Sequence, residues 1–141
     1  MVDGKRSLFV DTSGWIEVFG KDNPSHKRAR IILARAEKER RKIITTNYII
    51  TEFIGNGEKK CRLNRLGLLK AIENIAKWPS IEIVHISQES HDLAIAFLGE
   101  RLDKKWSLVD ATSFLLMKQR GILEALATDS DFVQAEFIKL L

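Results

Sequence analysis

The sequence contains few residues that cross-link a chain or interrupt its regular structure. Among its 141 residues there are one cysteine, Cys61, and two prolines. A single thiol excludes an internal disulfide and a multi-cysteine zinc site, and it is typical of reducing compartments. With a hydrophobic share of 45%, extended disorder is not expected either. The length predicts a single domain over residues 1–141 that needs no disulfide or structural metal to fold.

Long apolar runs are also absent. No stretch approaches the roughly 20 apolar residues of a membrane-spanning helix. The start of the chain is polar, and the run that follows, Leu8-Phe9-Val10, is too short for a signal peptide. The lone pair Gly55 and Gly57 lacks the Gly-Lys-Ser/Thr sequence of a phosphate-binding loop. We therefore expect a cytoplasmic protein with no membrane segment.

The apolar residues that are present alternate between strand and helix patterns. Strands are predicted at 7–10, 42–46, 81–86, 124–128 and, as a short last strand, 137–140. Helices are predicted at 15–19, 24–41, 47–54, 63–76, 87–102 and 108–120. Asn23 and Asn47 are the expected caps of two of these helices, and Gly55-Asn56-Gly57 is expected to end the third. The alternation predicts an α/β fold with a mostly parallel sheet and helices on both faces.

Four acidic residues stand at strand ends or helix starts of this predicted fold. Asp11 directly follows the first strand, and Asp129 follows the fourth. Glu52 lies just over one turn into the helix after the second strand, and Asp110 lies in the first turn of the sixth helix. Because the carboxyl ends of parallel strands line the ligand crevice, we expect these four side chains to share one pocket.

Such a pocket favours a hard divalent cation. Close carboxylates repel one another, and an oxygen-only ligand set suits Mg²⁺ or Mn²⁺ rather than zinc or copper. A cation of this kind activates water and neutralises charge on a phosphate. Neighbouring hydroxyl groups would orient the carboxylates or water in a surrounding layer. These candidates are Thr12, Ser13, Thr112, Ser113 and Ser130.

Each acid taken alone also has an ordinary structural explanation. Asp11 can cap the helix that follows it, and Asp110 can be a first-turn acid favoured by the helix dipole. Glu52 can be a solvated helix residue, although its neighbours are apolar. Asp129 and Asp131 can be turn formers. Their joint placement is what favours a functional site over these separate roles.

The acids lie in four segments whose order and spacing resemble a known family. The segments are Leu8-Phe9-Val10-Asp11-Thr12-Ser13, Thr46-Asn47-Tyr48-Ile49-Ile50-Thr51-Glu52, Trp106-Ser107-Leu108-Val109-Asp110-Ala111-Thr112-Ser113-Phe114 and Leu126-Ala127-Thr128-Asp129-Ser130-Asp131-Phe132. The family is that of the PIN-domain ribonucleases, in particular the VapC-type toxins of bacterial toxin–antitoxin pairs. The resemblance extends over nearly the whole chain.

This resemblance implies an α/β/α sandwich, an Mg²⁺- or Mn²⁺-dependent endoribonuclease activity, and a homodimer inhibited by a cognate antitoxin. Asp11, Glu52, Asp110 and Asp129 match the acidic quartet of the family, which implies that they are catalytic residues and metal ligands. Asp131 falls where relatives carry varied polar residues, which implies an auxiliary role. A housekeeping RNA-processing nuclease of the same family is the alternative.

The basic residues are consistent with an RNA substrate but do not specify one. The net charge is +4. Lys27 to Lys42 is rich in basic residues with acids interleaved, which favours a solvated helix face. A second basic group, formed by Lys59, Lys60, Arg62 and Arg65, follows the helix of Glu52 and is a candidate for RNA binding. Cys61 lies within this group, and its basic neighbours would lower its pKa.

Two other classes of protein remain to be considered. A phosphoryl-transfer domain also places an Asp after a parallel strand, but Ser13 stands where the dehalogenase pattern has a second Asp. Thr128-Asp129 stands where a receiver domain has a Lys. A non-catalytic module that binds RNA or an antitoxin would need no intact acidic quartet.

Overall fold

The computed structural model describes residues 6–141, so most of the polar start on which the signal-peptide expectation rests lies outside the described residues. The strands are β1 (Leu8–Val10), β2 (Ile43–Thr46), β3 (Ile81–Val84), β4 (Glu124–Leu126) and β5 (Ile138–Lys139). The helices are α1 (Thr12–Phe19), α2 (His26–Lys38), α3 (Asn47–Cys61), α4 (Arg65–Lys77), α5 (Gln88–Glu100), α6 (Leu108–Arg120) and α7 (Asp131–Gln134). None of the described helices is long and apolar enough to span a membrane.

The strands form one sheet in the order β3-β2-β1-β4-β5, and every pairing is parallel. Leu8, Phe9 and Val10 of the central strand are all fully buried. Since successive strand residues point to opposite faces, a continuous buried run requires helices on both sides of the sheet. The helices α1 to α4 pack together, and α5 packs along α6. The predicted α/β/α sandwich is therefore confirmed.

The strand order places a crevice beside β1. The chain first builds β1, β2 and β3 outward, then returns to add β4 on the other side of β1. Such a reversal separates the connections at the carboxyl ends of the two strands and opens a crevice between them. Asp11 follows β1, and Asp129 lies in the segment that follows β4. Two of the four predicted acids therefore flank this crevice.

The prediction that α3 ends at Gly55-Asn56-Gly57 is wrong, because the helix continues to Cys61. Gly57 is buried, and a Cβ built on it would lie 2.5 Å from Cδ1 of Leu68 on α4. The glycine therefore permits a close approach between two helices and does not break one. A methyl group at Gly55 would meet nothing within 4 Å, so that position is simply exposed.

Two predicted helix caps are also wrong. The side chain of Thr46, not Asn47, accepts from the backbone N–H of Ile49 at the start of α3, and Asn47 instead accepts from the N–H of Ile86. The second helix begins at His26, later than predicted, and Asn23 donates to the carbonyl oxygens of Ile16 and Lys60. Both asparagines thus join segments distant in sequence, which a local capping rule does not anticipate. The short helix α7 was not predicted.

Candidate active site

Asp11 lies in the crevice because β1 ends directly before it. Its carboxylate caps α1 by accepting hydrogen bonds from the N–H of Ser13 at 3.3 Å and the hydroxyl of Ser13 at 2.9 Å. The side chain is only 4% exposed, and no lysine or arginine among the described residues forms an ion pair with it. Burial raises the pKa of Asp11 from 3.8 to about 6, although the bonds from Ser13 oppose the rise. The capping explanation is correct, but it leaves a buried carboxylate without a counter-charge.

Asp110 reaches the same region from the start of α6. Ser107 caps this helix and accepts from the N–H of Asp110 at 3.0 Å, while Asp110 accepts from the N–H of Ser107 at 2.9 Å. This reciprocal capping box fixes one oxygen of the carboxylate and leaves the other available. Burial raises the pKa of Asp110, and the charges of Asp129 and Asp131 raise it further.

Asp129 and Asp131 come from the turn between β4 and α7. One oxygen of Asp129 accepts from the N–H of Asp131 at 2.9 Å, as in a typical Asx turn. Burial and Asp129 raise the pKa of Asp131, and the ammonium group of Lys104 only partly opposes the rise. Turn formation and proximity to other acids therefore coexist in these two residues.

Three carboxylates form the tightest cluster among the described residues. One oxygen each from Asp110, Asp129 and Asp131 lie within 4.8 Å of one another. Asp11 is close enough for the charges of Asp110 and Glu52 to raise its pKa. Glu52 is half-buried on α3, as its apolar neighbours indicated. The fold thus brings the four predicted acids to one region, with Asp131 as a fifth member.

Among the predicted hydroxyl groups, Ser13 has the most direct contact with an acid. Its hydroxyl donates to Asp11 and accepts from the N–H of Thr128 at 3.0 Å, so it links the ends of β1 and β4. Thr112 donates to its own helix backbone at Val109, and Ser130 makes no capping bond to α7. The hydroxyls of Thr12 and Ser113 are buried, and neither has a hydrogen-bond partner in residues 6–141.

The acid cluster fits a small divalent cation. Two oxygens that share one Mg²⁺ lie no more than about 4 Å apart, so oxygens within 4.8 Å need only a small inward movement. The donors are all carboxylate oxygens, which suit Mg²⁺ or Mn²⁺. No described lysine or arginine forms an ion pair with the five acids. A bound cation would relieve the repulsion that contributes to the raised pKa values of Asp11, Asp110 and Asp131.

The predicted basic group lies along the second half of α3 and at the turn after it. Lys59 and Lys60 are exposed, Arg62 pairs with Asp22 at 3.5 Å, and Arg65 pairs with Glu58 at 3.6 Å. The expected lowering of the Cys61 pKa is wrong. Cys61 is buried, and burial together with the charge of Glu17 raises its pKa to about 11. The thiol is therefore an inert part of the core.

The family assignment follows from the match of the whole fold. The family model described as "PIN domain" matches residues 8–138, which include all five acids. The chain belongs to the PIN-domain family. The topology and the converging acids of this PIN domain agree with the resemblance noted in the sequence.

Two kinds of comparison relate this PIN domain to the same protein. It is 27% identical over 133 residues to the 23S rRNA-specific endonuclease VapC20 of two Mycobacterium tuberculosis strains, covering 94% of this chain and 97% of the relative. A crystal structure of VapC20, described as a sarcin–ricin-loop-cleaving toxin, superposes with a TM-score of 0.82 at 26% identity. That match covers 94% of this chain and 97% of the other.

Proposed function

We propose that this PIN domain is a divalent-metal-dependent endoribonuclease and the toxin of a VapBC-type pair. The observation that carries the proposal is the convergence of Asp11, Glu52, Asp110 and Asp129 beside the crevice at β1. The similarity to VapC20 supports RNA as the substrate. An RNA of the kind that VapC20 cleaves, a sarcin–ricin-loop hairpin, is the first substrate to test. An enzyme acting on ribosomal RNA would work in the cytoplasm.

The proposed catalytic groups have different roles in binding the cation and the attacking water. Asp11 and Asp110 would be the main ligands of Mg²⁺ or Mn²⁺, with Asp129 and Glu52 completing the site directly or through water and Asp131 adding a further oxygen. The chemistry that the cation supplies when bound is Lewis acidity toward the scissile phosphate and the attacking water. Ser13 and Ser107 keep the carboxylates oriented, so little reorganisation is required during the reaction.

Substitution of the acids tests this proposal. Asp11→Asn and Asp110→Asn preserve the side-chain shape and one capping oxygen, but they remove charge from the site. We expect each to reduce RNA cleavage by on the order of a hundredfold or more while the circular dichroism spectrum stays unchanged. Asp92→Asn, an exposed position on α5, is the matched control. Chelation of the divalent ion should abolish cleavage by the wild type. Full activity of folded Asp11→Asn and Asp110→Asn would refute the assignment.

The partner proposals are a homodimer and a cognate antitoxin. Leu93 on α5 is 58% exposed and borders a small cavity of about 60 Å³ whose walls include Leu115 and Leu116. We assign this apolar surface to the second copy of the chain. Leu66 and Leu69 on α4 form a separate exposed pair, which we assign to an apolar segment of the antitoxin.

A further inference from the structure

The proposed active site needs a positively charged side chain of the protein beside it in order to bind RNA. Its five acids carry a concentrated negative charge, and a divalent ion offsets only part of it. The predicted basic residues Lys59 and Lys60 lie about two turns of α3 beyond Glu52, which is roughly 10 Å along the helix axis. These lysines are therefore displaced from the acids along the helix.

The connection between α5 and α6 carries a basic residue whose charge acts on the acid cluster. This segment ends at Ser107, whose cap fixes Asp110. Trp106, directly before the cap, is buried, and its ring lies 5.8 Å from that of Phe97 and 5.1 Å from that of Phe114. The indole is consequently a rigid platform joined to the element that presents Asp110.

Lys104 lies over this platform. Its ammonium nitrogen is 6.0 Å from the centre of the Trp106 ring, within the range of a cation–π contact. Its positive charge also acts on Asp131 of the acid cluster. Arg101 faces the same ring at 5.0 Å, but its Nε and Nη2 groups donate to Asp103 at 3.1 Å, so its charge is already paired. Lys104 makes no such ion pair among the described residues.

A lysine in this position is suited to a phosphate. The aromatic face orients the side chain without using the three N–H donors of the ammonium group, which stay available for an anion. A phosphate next to the scissile one would lie a few ångströms from the acids. At that distance the proposed metal ion would not contact it. Contacts of this kind position a nucleic-acid backbone and do not read its sequence.

We propose that Lys104, held over Trp106, binds a non-bridging phosphate oxygen of the RNA adjacent to the cleaved bond. This inference rests on the proposed ribonuclease function and adds a substrate-positioning residue to it. Lys104 contacts the substrate backbone only, so its loss weakens binding and leaves the chemical step intact.

Steady-state cleavage of a sarcin–ricin-loop hairpin by Lys104→Gln tests the contact. We expect KM to rise about tenfold with kcat changed much less, the usual effect of losing one charged hydrogen bond. The slope of log KM against log salt should become shallower by about 0.7, the value for one phosphate contact to a single strand. Lys104→Arg should restore most of the affinity. Lys118→Gln, about two turns beyond Asp110 on the exposed end of α6, is the matched control.

The same contact is measurable without cleavage. Fluorescence anisotropy would compare hairpin binding by Asp110→Asn with binding by Asp110→Asn carrying Lys104→Gln. Weaker and less salt-dependent binding of the double variant supports the contact even if the wild type cleaves no RNA, an outcome that would count against the proposed function alone. Equal binding, or an unchanged KM and salt slope in Lys104→Gln, overturns the role of Lys104.

Discussion

Ser13 is the residue on which the position of Asp11 depends most directly. Its hydroxyl donates to the Asp11 carboxylate and accepts from the N–H of Thr128. One small side chain therefore sets the distance between the end of β1 and the segment that carries Asp129. The hydroxyl and the backbone N–H of Ser13 both donate to Asp11, and these two bonds favour the ionised carboxylate because they lower its pKa against the effect of burial.

Ser13→Ala should reduce metal affinity and cleavage by about tenfold to a hundredfold, the usual effect of losing a partner that orients a ligand. Isothermal titration with Mn²⁺ would measure the affinity, and a gel assay the activity. Ser25→Ala is the matched control, since Ser25 precedes α2 and makes no capping bond with its side chain. Equal metal affinity in the two variants would contradict the orienting role of Ser13.

The raised pKa of Asp11 also predicts a pH dependence of stability. Its pKa is about 6 in the folded chain and 3.8 ordinarily, so protonation favours the folded state. This contribution is complete below about pH 4 and is lost as the pH rises through about 6, by up to about 3 kcal/mol. We expect Asp11→Asn to be more stable than the metal-free wild type at pH 8. Urea denaturation of both proteins at pH 4 and pH 8 would measure the difference.

Divalent metal should reverse this loss of stability. Mg²⁺ or Mn²⁺ binds the ionised acids of the folded chain, so the thermal midpoint of the wild type should rise with metal concentration at pH 8. The rise should be smaller at pH 5, where protons compete for Asp11. A metal effect of equal size in Asp110→Asn would argue against the acid cluster as the binding site.

The contact between α3 and α4 operates at the scale of secondary-structure elements. Gly57 permits these helices to approach closely, because the side chain of Leu68 occupies the space that a Cβ at this position would need. This contact fixes the second half of α3, whereas Glu52 lies nearer the start of the helix. Loss of this packing should therefore affect stability first and the site only through the orientation of α3.

Gly57→Ala should destabilise the protein by about 1–2 kcal/mol, because the added methyl group overlaps Leu68 in a full core. Gly55→Ala on the same helix should instead stabilise it by about 0.5–1 kcal/mol, since Ala favours helix and the position is open. Chemical denaturation of the pair separates packing from helix propensity. A stabilised Gly57→Ala would mean that Leu68 moves aside without cost.

The exposed apolar surfaces matter at the scale of the whole molecule. α4 presents Leu66 and Leu69 to solvent, and α5 presents Leu93 beside the cavity lined by Leu115 and Leu116. Two partners are proposed, a second copy of the chain and an antitoxin. One of the two apolar surfaces can therefore be assigned to each partner. The assignment made above, α5 to the dimer and α4 to the antitoxin, leads to opposite outcomes for two variants.

Leu93→Asp should convert a homodimer to a monomer, because its charge would be buried against the second copy. Leu66→Asp with Leu69→Asp should leave the dimer intact. Light scattering after size-exclusion chromatography measures both masses, and thermal melting checks that each variant is folded. A monomeric wild type would remove the dimer proposal, and a dimer lost only in the α4 variant would reverse the assignment.

The sequence alone was enough to predict the α/β alternation, the parallel sheet and the positions of Asp11, Glu52, Asp110 and Asp129. These features follow from local periodicity and from one geometric fact, that the carboxyl ends of parallel strands lie at one edge of a sheet. The first-turn position of Asp110 on its helix is equally local, and the structure contains it. Such features need no knowledge of which distant residues pack together.

Only the tertiary structure decided the features that depend on neighbours remote in the chain. The continuation of α3 through Gly57 depends on Leu68, and the pKa of Cys61 depends on its burial rather than on its basic neighbours. The membership of Asp131 in the acid cluster requires the turn after β4 to meet the start of α6. Packing and desolvation act between elements. Whether they stabilise a helix at a residue, or raise or lower its pKa, is therefore set by the assembled fold and not by the local sequence.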